Sequence, residues 1–244
     1  MEKQYVKHYS NTLGREMECE FYGHGGMPVL FIPCQDGRYF DFENFKMTET
    51  WGEWLESGQV MVLAIDTIDK ETWSDRDRPA EERARLHEAW MRYLIDEAVP
   101  MLEERCGRKG VTAFGCSLGA THAVNLFLRF PDRITGMLAL SGIYDASYGF
   151  GTYMDEIVYQ NSPVHYMAQY PTDHPFTEKY NRNRGIICVG TGAWEEPHTT
   201  FRLKKLFEEK GISIWVDIWG EDVNHDWPWW HKQVAYFVPK LLEK

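Results

Sequence analysis

The chain has 244 residues, 43% of them hydrophobic, and a formal net charge of −11. That is enough apolar material for one large α/β domain with a full core, and too acidic a balance for a nucleic-acid partner or an anionic membrane surface. No apolar run approaches the roughly 20 residues of a membrane-spanning helix, and the first residues, Met1-Glu2-Lys3-Gln4, lead into no signal segment, so a cytoplasmic protein is expected.

In chain order, Glu16–Tyr22 alternates like an antiparallel strand near a sheet edge. Val29–Ile32 reads as a buried strand ended by Pro33. Residues 43–56 read as a helix closed by Ser57-Gly58, and Val60–Ile65 as a second buried strand. From Pro79 to Glu104 runs a long helical pattern whose stripe passes through Leu86, Trp90, Tyr93, Leu94 and Ala98, with Pro100 kinking or interrupting it. Val111–Phe114 is strand-like, Ala120–Phe130 helical, Met137–Leu140 and Ile186–Val189 strands. Phe201–Lys210 is a helix capped at Gly211, Ile212–Trp219 a last strand and Trp230–Leu242 a last helix. Buried, non-alternating strands that alternate with helices predict a mostly parallel central sheet with helices on both faces.

Residues 143–185 break this rhythm with polar and aromatic residues and three prolines, Asn161-Ser162-Pro163 being a helix start. Over forty residues exceed an ordinary connection, and the expectation is one domain with an insertion that forms a lid or binding wall, or an excursion that only covers the core. The five cysteines are odd in number and irregularly spaced, which suggests neither a disulfide framework nor a zinc knuckle. Ten Trp, thirteen Tyr and thirteen Phe supply a ring-rich core and cleft, with a carbohydrate- or aromatic-binding surface as the alternative.

The densest chemical signal is Gly115-Cys116-Ser117-Leu118-Gly119, set between the Val111 strand and the Ala120 helix. Strand, G-x-S-x-G, helix is a nucleophile elbow, which lifts Ser117 out of the sheet. A serine hydroxyl needs a base within hydrogen-bond reach and a third group to orient that base, supplied in the chain order Ser, acid, His. Of nine histidines only His225 lies in the loop that follows the final strand, Glu221-Asp222-Val223-Asn224-His225-Asp226; His231, on the last helix, is the fallback. The loop after Ile186–Val189 holds Glu195 and Glu196, of which Glu195 is preferred as the acid, with Asp145 a further candidate. An oxyanion needs backbone N–H donors: the amide of Leu118, and one from Pro33-Cys34-Gln35-Asp36-Gly37, where Pro33 has none to give, Gln35 is the choice and Cys34 comes next. Trp194, Trp227, Trp229 and Trp230 either wall the site or anchor the last helix.

Placed in this order, the residues resemble the α/β-hydrolase superfamily and, within it, the esterase D-like "putative esterase" family, from about Val29 to Phe237. The resemblance rests on Ala113-Phe114-Gly115-Cys116-Ser117-Leu118-Gly119-Ala120, Phe130-Pro131-Asp132-Arg133, Leu140-Ser141-Gly142, Asp41-Phe42-Glu43-Asn44-Phe45 and Asn224-His225-Asp226-Trp227-Pro228-Trp229-Trp230. Relatives carry His-Gly or Asp-Gly where this chain has Pro33-Cys34, and the superfamily's usual acid is Asp where this chain offers Glu. The expectation is the α/β-hydrolase fold and a serine carboxylesterase acting on a small-molecule ester through Ser117, His225 and Glu195, without metal or organic cofactor. Its rivals are an acyltransferase with the same three residues and a hydrolase-like binding protein. Homodimers are common among the relatives, and a homodimer is expected on that ground alone.

Overall fold

A computed structural model describes residues 1–243. Eight strands form one sheet: β1 (Lys3–Ser10), β2 (Arg15–Tyr22), β3 (Met27–Ile32), β4 (Val60–Ile65), β5 (Val111–Cys116), β6 (Ile134–Leu140), β7 (Arg184–Val189) and β8 (Trp215–Ile218). Their order across the sheet is β1-β2-β4-β3-β5-β6-β7-β8. From β4 to β8 every pairing is parallel; β2 runs antiparallel to both β1 and β4. The arrangement, with helices on both faces, is the α/β-hydrolase fold expected from the sequence.

Every residue of β4 and β5 is buried, because each face of the sheet has its own core. Successive side chains of a strand point to opposite faces. Accordingly Leu30 and Ile32 enter one core and Val29 and Phe31 the other, as Ala113 and Phe114 do on β5. The first core is closed by the helices Ala80–Tyr93, Val99–Cys106, Leu118–Arg129, Pro163–Gln169 and His198–Glu209. The second is closed by Trp227–Leu242 and the short helices of residues 41–56.

Two local readings change, and the interruption expected near Pro100 is present. The hairpin strand β1 was not expected: it lies at the sheet edge with Tyr5 and Tyr9 exposed, so its sequence carries little core signal. The single helix expected over 43–56 is three short ones, Asp41–Asn44, Met47–Thr50 and Gly52–Glu56, with Lys46 at φ +60° between the first two. Phe42, Met47, Trp51 and Leu55 are all fully buried. The five-residue step from Phe42 to Met47 would carry Met47 about 140° around a continuous helix; the left-handed residue restores its direction. The long helix divides where Pro100 requires it. A π turn over Leu94–Ala98 joins Ala80–Tyr93 to Val99–Cys106, in whose first turn the prolyl N needs no partner.

Residues 143–183 fold as four short helices, Ser147–Phe150, Glu156–Gln160, Pro163–Gln169 and Thr177–Arg182, and Arg184 already belongs to β7. Ser162 and Pro163 start a helix as read from the sequence. The segment is bound to the body of the domain: Val164, Met167 and Tyr180 enter the first core, and the Tyr180 hydroxyl donates to the Leu128 carbonyl at 2.6 Å. Among the described residues no helix is long and apolar enough to cross a membrane.

Candidate active site

Ser117 stands between β5 and the helix Leu118–Arg129 at φ +56° and ψ −128°. A non-glycine residue in this backbone region is uncommon and strained; the bonds around it impose the conformation. Its N–H donates to the Leu140 carbonyl at 2.9 Å, and its own carbonyl accepts from Ala120 at 3.0 Å. The flanking glycines are demanded by contact. A Cβ on Gly119 would lie 2.2 Å from the Ile32 carbonyl oxygen, and one on Gly115 would lie 2.3 Å from the Gly119 carbonyl carbon. The helix therefore starts pressed against the end of β3, which brings the loop after β3 beside Ser117.

The base and acid arrive on the outer strands. His225, in the loop after β8, places Nε2 2.9 Å from Ser117 Oγ and Nδ1 3.2 Å from Glu195 Oε2. A carboxylate only accepts, so Nδ1 carries the proton and Nε2 is left free to accept from the Ser117 hydroxyl. The Glu195 side chain is fully buried, and its other oxygen accepts from Ser141 Oγ at 2.7 Å and from the Gly190 N–H at 3.1 Å. Ser141 in turn accepts from Trp230 Nε1 at 3.0 Å. The acid and histidine loops are tied together. Ala193 N–H donates to Asn224 Oδ1 at 2.8 Å, His225 N–H to the Ala193 carbonyl at 3.0 Å, and Gly192 N–H to the Val223 carbonyl at 2.9 Å.

Between the two glutamates the geometry discriminates: Glu195 meets His225, whereas Glu196 lines the open cleft. The remaining candidates lie elsewhere. His231 Nδ1 bonds Thr50 Oγ1 at 2.6 Å, and Asp145 faces His165 at 3.8 Å. Of the four tryptophans only Trp194 lines the cleft. Trp230 is buried with its ring edge-on to His225 at 5.0 Å, and Trp227 stacks on Phe45 at 4.2 Å, so these two serve the last helix instead.

The cleft beside Ser117 and His225 encloses about 280 Å³ and is lined also by Gln35, Leu118, Thr121, Ile143 and Tyr148. The amides of Gln35 and Leu118, two residues that line the cleft, donate to no protein acceptor among the described residues. The Gln35 loop is built on a buried carboxylate. Asp69, 1% exposed, accepts from the Asp36 N–H at 3.3 Å with one oxygen, and its other oxygen lies 3.3 Å from His122 Nε2 on the elbow helix. Ser74 Oγ donates to Asp36 at 2.7 Å and accepts from Gln35 Nε2 at 2.7 Å. Asp36 itself sits at φ +61°. Burial raises the Cys34 thiol to about 12, so this cysteine is a spectator in its loop rather than a reactive thiol. Among the described residues no three His, Cys, Asp or Glu side chains converge to hold a metal ion.

Sequence reasoning did not assign Ser141, Asp69 or His122. A polar residue directly after the buried strand β6 was a usable signal for Ser141. Nothing local marks Asp69, whose partners are 33 and 53 residues away.

No curated protein sequence gives a significant match to the chain. Among solved structures, a ferulic acid esterase superposes with a TM-score of 0.76 at 15% identity, covering 99% of this chain and 98% of the other. An S-formylglutathione hydrolase from Staphylococcus aureus gives 0.72 at 11% identity, covering 99% and 97%. A ferulic acid esterase from Anaeromyces mucronatus gives 0.74 at 14% identity, covering 99% and 90%. At these identities the likeness establishes the fold. The family described as "Putative esterase" matches residues 10–241, nearly the whole sequence. The chain therefore belongs to the "Putative esterase" family and is an esterase with the α/β-hydrolase fold.

Proposed function

We propose that the protein hydrolyses small esters through an acyl-enzyme formed on Ser117. The observation that carries this reading is the unbroken hydrogen-bond chain Ser117–His225–Glu195, opening on a cleft that also holds two uncommitted amides. Ser117 Oγ attacks the ester carbonyl carbon as its proton passes to His225 Nε2. Glu195 holds the imidazole in the required tautomer and stabilises the imidazolium. The Leu118 and Gln35 amides take up the negative charge of the tetrahedral intermediate. As the intermediate collapses, the bond to the alcohol oxygen breaks and His225 returns the proton to that oxygen. Water, deprotonated by His225, then attacks the acyl-enzyme; the Ser117 ester bond breaks, and the carboxylic acid leaves with Ser117 reprotonated. In this reading the segment after β6 supplies one wall of the substrate site through Tyr148.

The test is hydrolysis of p-nitrophenyl acetate and butyrate by the wild type and by Ser117→Ala. The variant should fold and lose at least about 1,000-fold in kcat, and a fluorophosphonate probe should label the wild type at Ser117 only. Activity retained without Ser117 would refute the mechanism, and a wild type that the probe leaves unlabelled would make the chain a binding protein. Product analysis with added alcohols separates hydrolysis from acyl transfer.

A further inference from the structure

The rim of the cleft carries three features that hydrolysis itself does not require. Trp194 is 89% exposed, the most exposed large apolar side chain among the described residues, and its φ is +67°. A bulky residue held there costs about 1–2 kcal/mol relative to ordinary backbone. It is held by its neighbours: Ala193 is tied on both sides to the histidine loop, and Glu195 N–H donates to the Gly192 carbonyl at 3.3 Å. A glycine would meet the same constraints without strain, so the ring, not the turn, accounts for tryptophan at this position. Tyr148 lines the same cleft and is 48% exposed. Glu196 lines it as well, and among the described residues its carboxylate has no ion-pair partner.

Among the described residues no lysine or arginine lines the cleft. Arg76 approaches the Tyr148 side from behind, but its guanidinium donates to the Tyr148 and Gly149 carbonyls, both at 2.7 Å, and Asp75 and Asp77 flank it in sequence. Two exposed aromatic rings and an unpaired carboxylate around a cavity that no described lysine or arginine lines match the requirements of an organic cation. The same arrangement repels a carboxylate-bearing leaving group.

We propose that the site takes esters whose alcohol half bears an ammonium group, with Glu196 and Trp194 as the residues that select the positive charge. This rests on the esterase reading above and names the substrate class of that site. The experiment compares acetylcholine with 3,3-dimethylbutyl acetate, which replaces the charged nitrogen by carbon at nearly constant shape. Wild-type kcat/KM should favour the cation by about tenfold at low salt. Glu196→Gln should reduce that ratio to about threefold, and Trp194→Gly should also lower it without lowering the melting temperature. Equal rates on the two wild-type substrates, a ratio unchanged in Glu196→Gln, or a lower melting point with an unchanged ratio in Trp194→Gly would each overturn the proposal. Calorimetric binding of the two esters to Ser117→Ala keeps the readings apart. A binding preference for acetylcholine without turnover by the wild type would sustain the cation site and refute the esterase. Turnover with equal binding would do the reverse.

Discussion

Replacing Ser141 by alanine separates positioning from packing at this site. Its hydroxyl gives Glu195 one of the three hydrogen bonds that fix the carboxylate, and it receives the Trp230 indole N–H, all within a buried environment. The bond to the carboxylate is charge-assisted, worth about 1.5–3 kcal/mol, and orphaning the indole N–H adds about 1–2 kcal/mol to the loss. Stability should therefore fall by about 2.5–5 kcal/mol, a drop of about 5–20 °C in melting temperature for a domain of this size. The catalytic effect has a different origin. Glu195 retains Gly190 and His225, but its orientation toward the imidazolium is less fixed. If the lost bond is expressed where positive charge develops on His225, kcat falls about 10- to 100-fold with KM within about twofold of wild type. Trp230→Phe is the control, since it removes the indole donor while leaving the Ser141–Glu195 bond; it should lower the melting temperature and keep kcat within about threefold. Stopped-flow hydrolysis of p-nitrophenyl butyrate with calorimetric melting reads both effects. If kcat follows melting temperature in parallel across the two variants, or Ser141→Ala keeps wild-type kcat, the positioning argument fails.

Asp69→Asn should lower kcat about tenfold, because it loosens the loop that presents the Gln35 amide, and should slow fluorophosphonate labelling of Ser117 to a similar extent; wild-type rates would remove Asp69 from the site. Burial raises all five thiols, with Cys19 and Cys34 at about 12. At pH 8 the thiolate fraction of Cys34 is then about 1 in 10,000, and a chromogenic disulfide reagent should titrate the unfolded protein at once and the native protein only slowly. A fast native thiol would contradict the packing. Burial also lowers the pKa of His87 well below its ordinary value. The folded state keeps it neutral while the unfolded chain binds a proton below about pH 6.5, so stability should fall as pH drops below that point, by up to ~1.4 kcal/mol per pH unit. Denaturant titrations between pH 5.5 and 7 should show a shallower fall in His87→Gln, and an unchanged slope would assign the effect elsewhere.

The elbow was legible because its chemistry is local. A strand, two glycines needed for close approach and a helix lie within about twenty residues, and Ser117 occupies the one position that turn can offer. His225 was legible by elimination, since only one histidine lies in the loop between the last strand and the last helix. Glu195 and Glu196 are adjacent and chemically alike, and only the turn at Trp194 decides which enters the protein and which faces the cleft. The tryptophans near the last helix illustrate the complementary failure. Trp230 and Trp194 are the same residue type, yet one donates to Ser141 from the core and the other is exposed at the rim. The broken helix over residues 41–56 turned on a single extra residue in an apolar repeat. The edge strand β1 had too few buried side chains to announce itself.

Ser117 extends from a strand with neighbours on both sides, whereas His225 depends on β8, four residues long, at the margin of the sheet and without one fully buried side chain. The parts of the reaction centre therefore do not share one resistance to heat. Fraying at that margin withdraws the imidazole while the serine stays in place, so warming should silence the enzyme some degrees before the molecule as a whole melts.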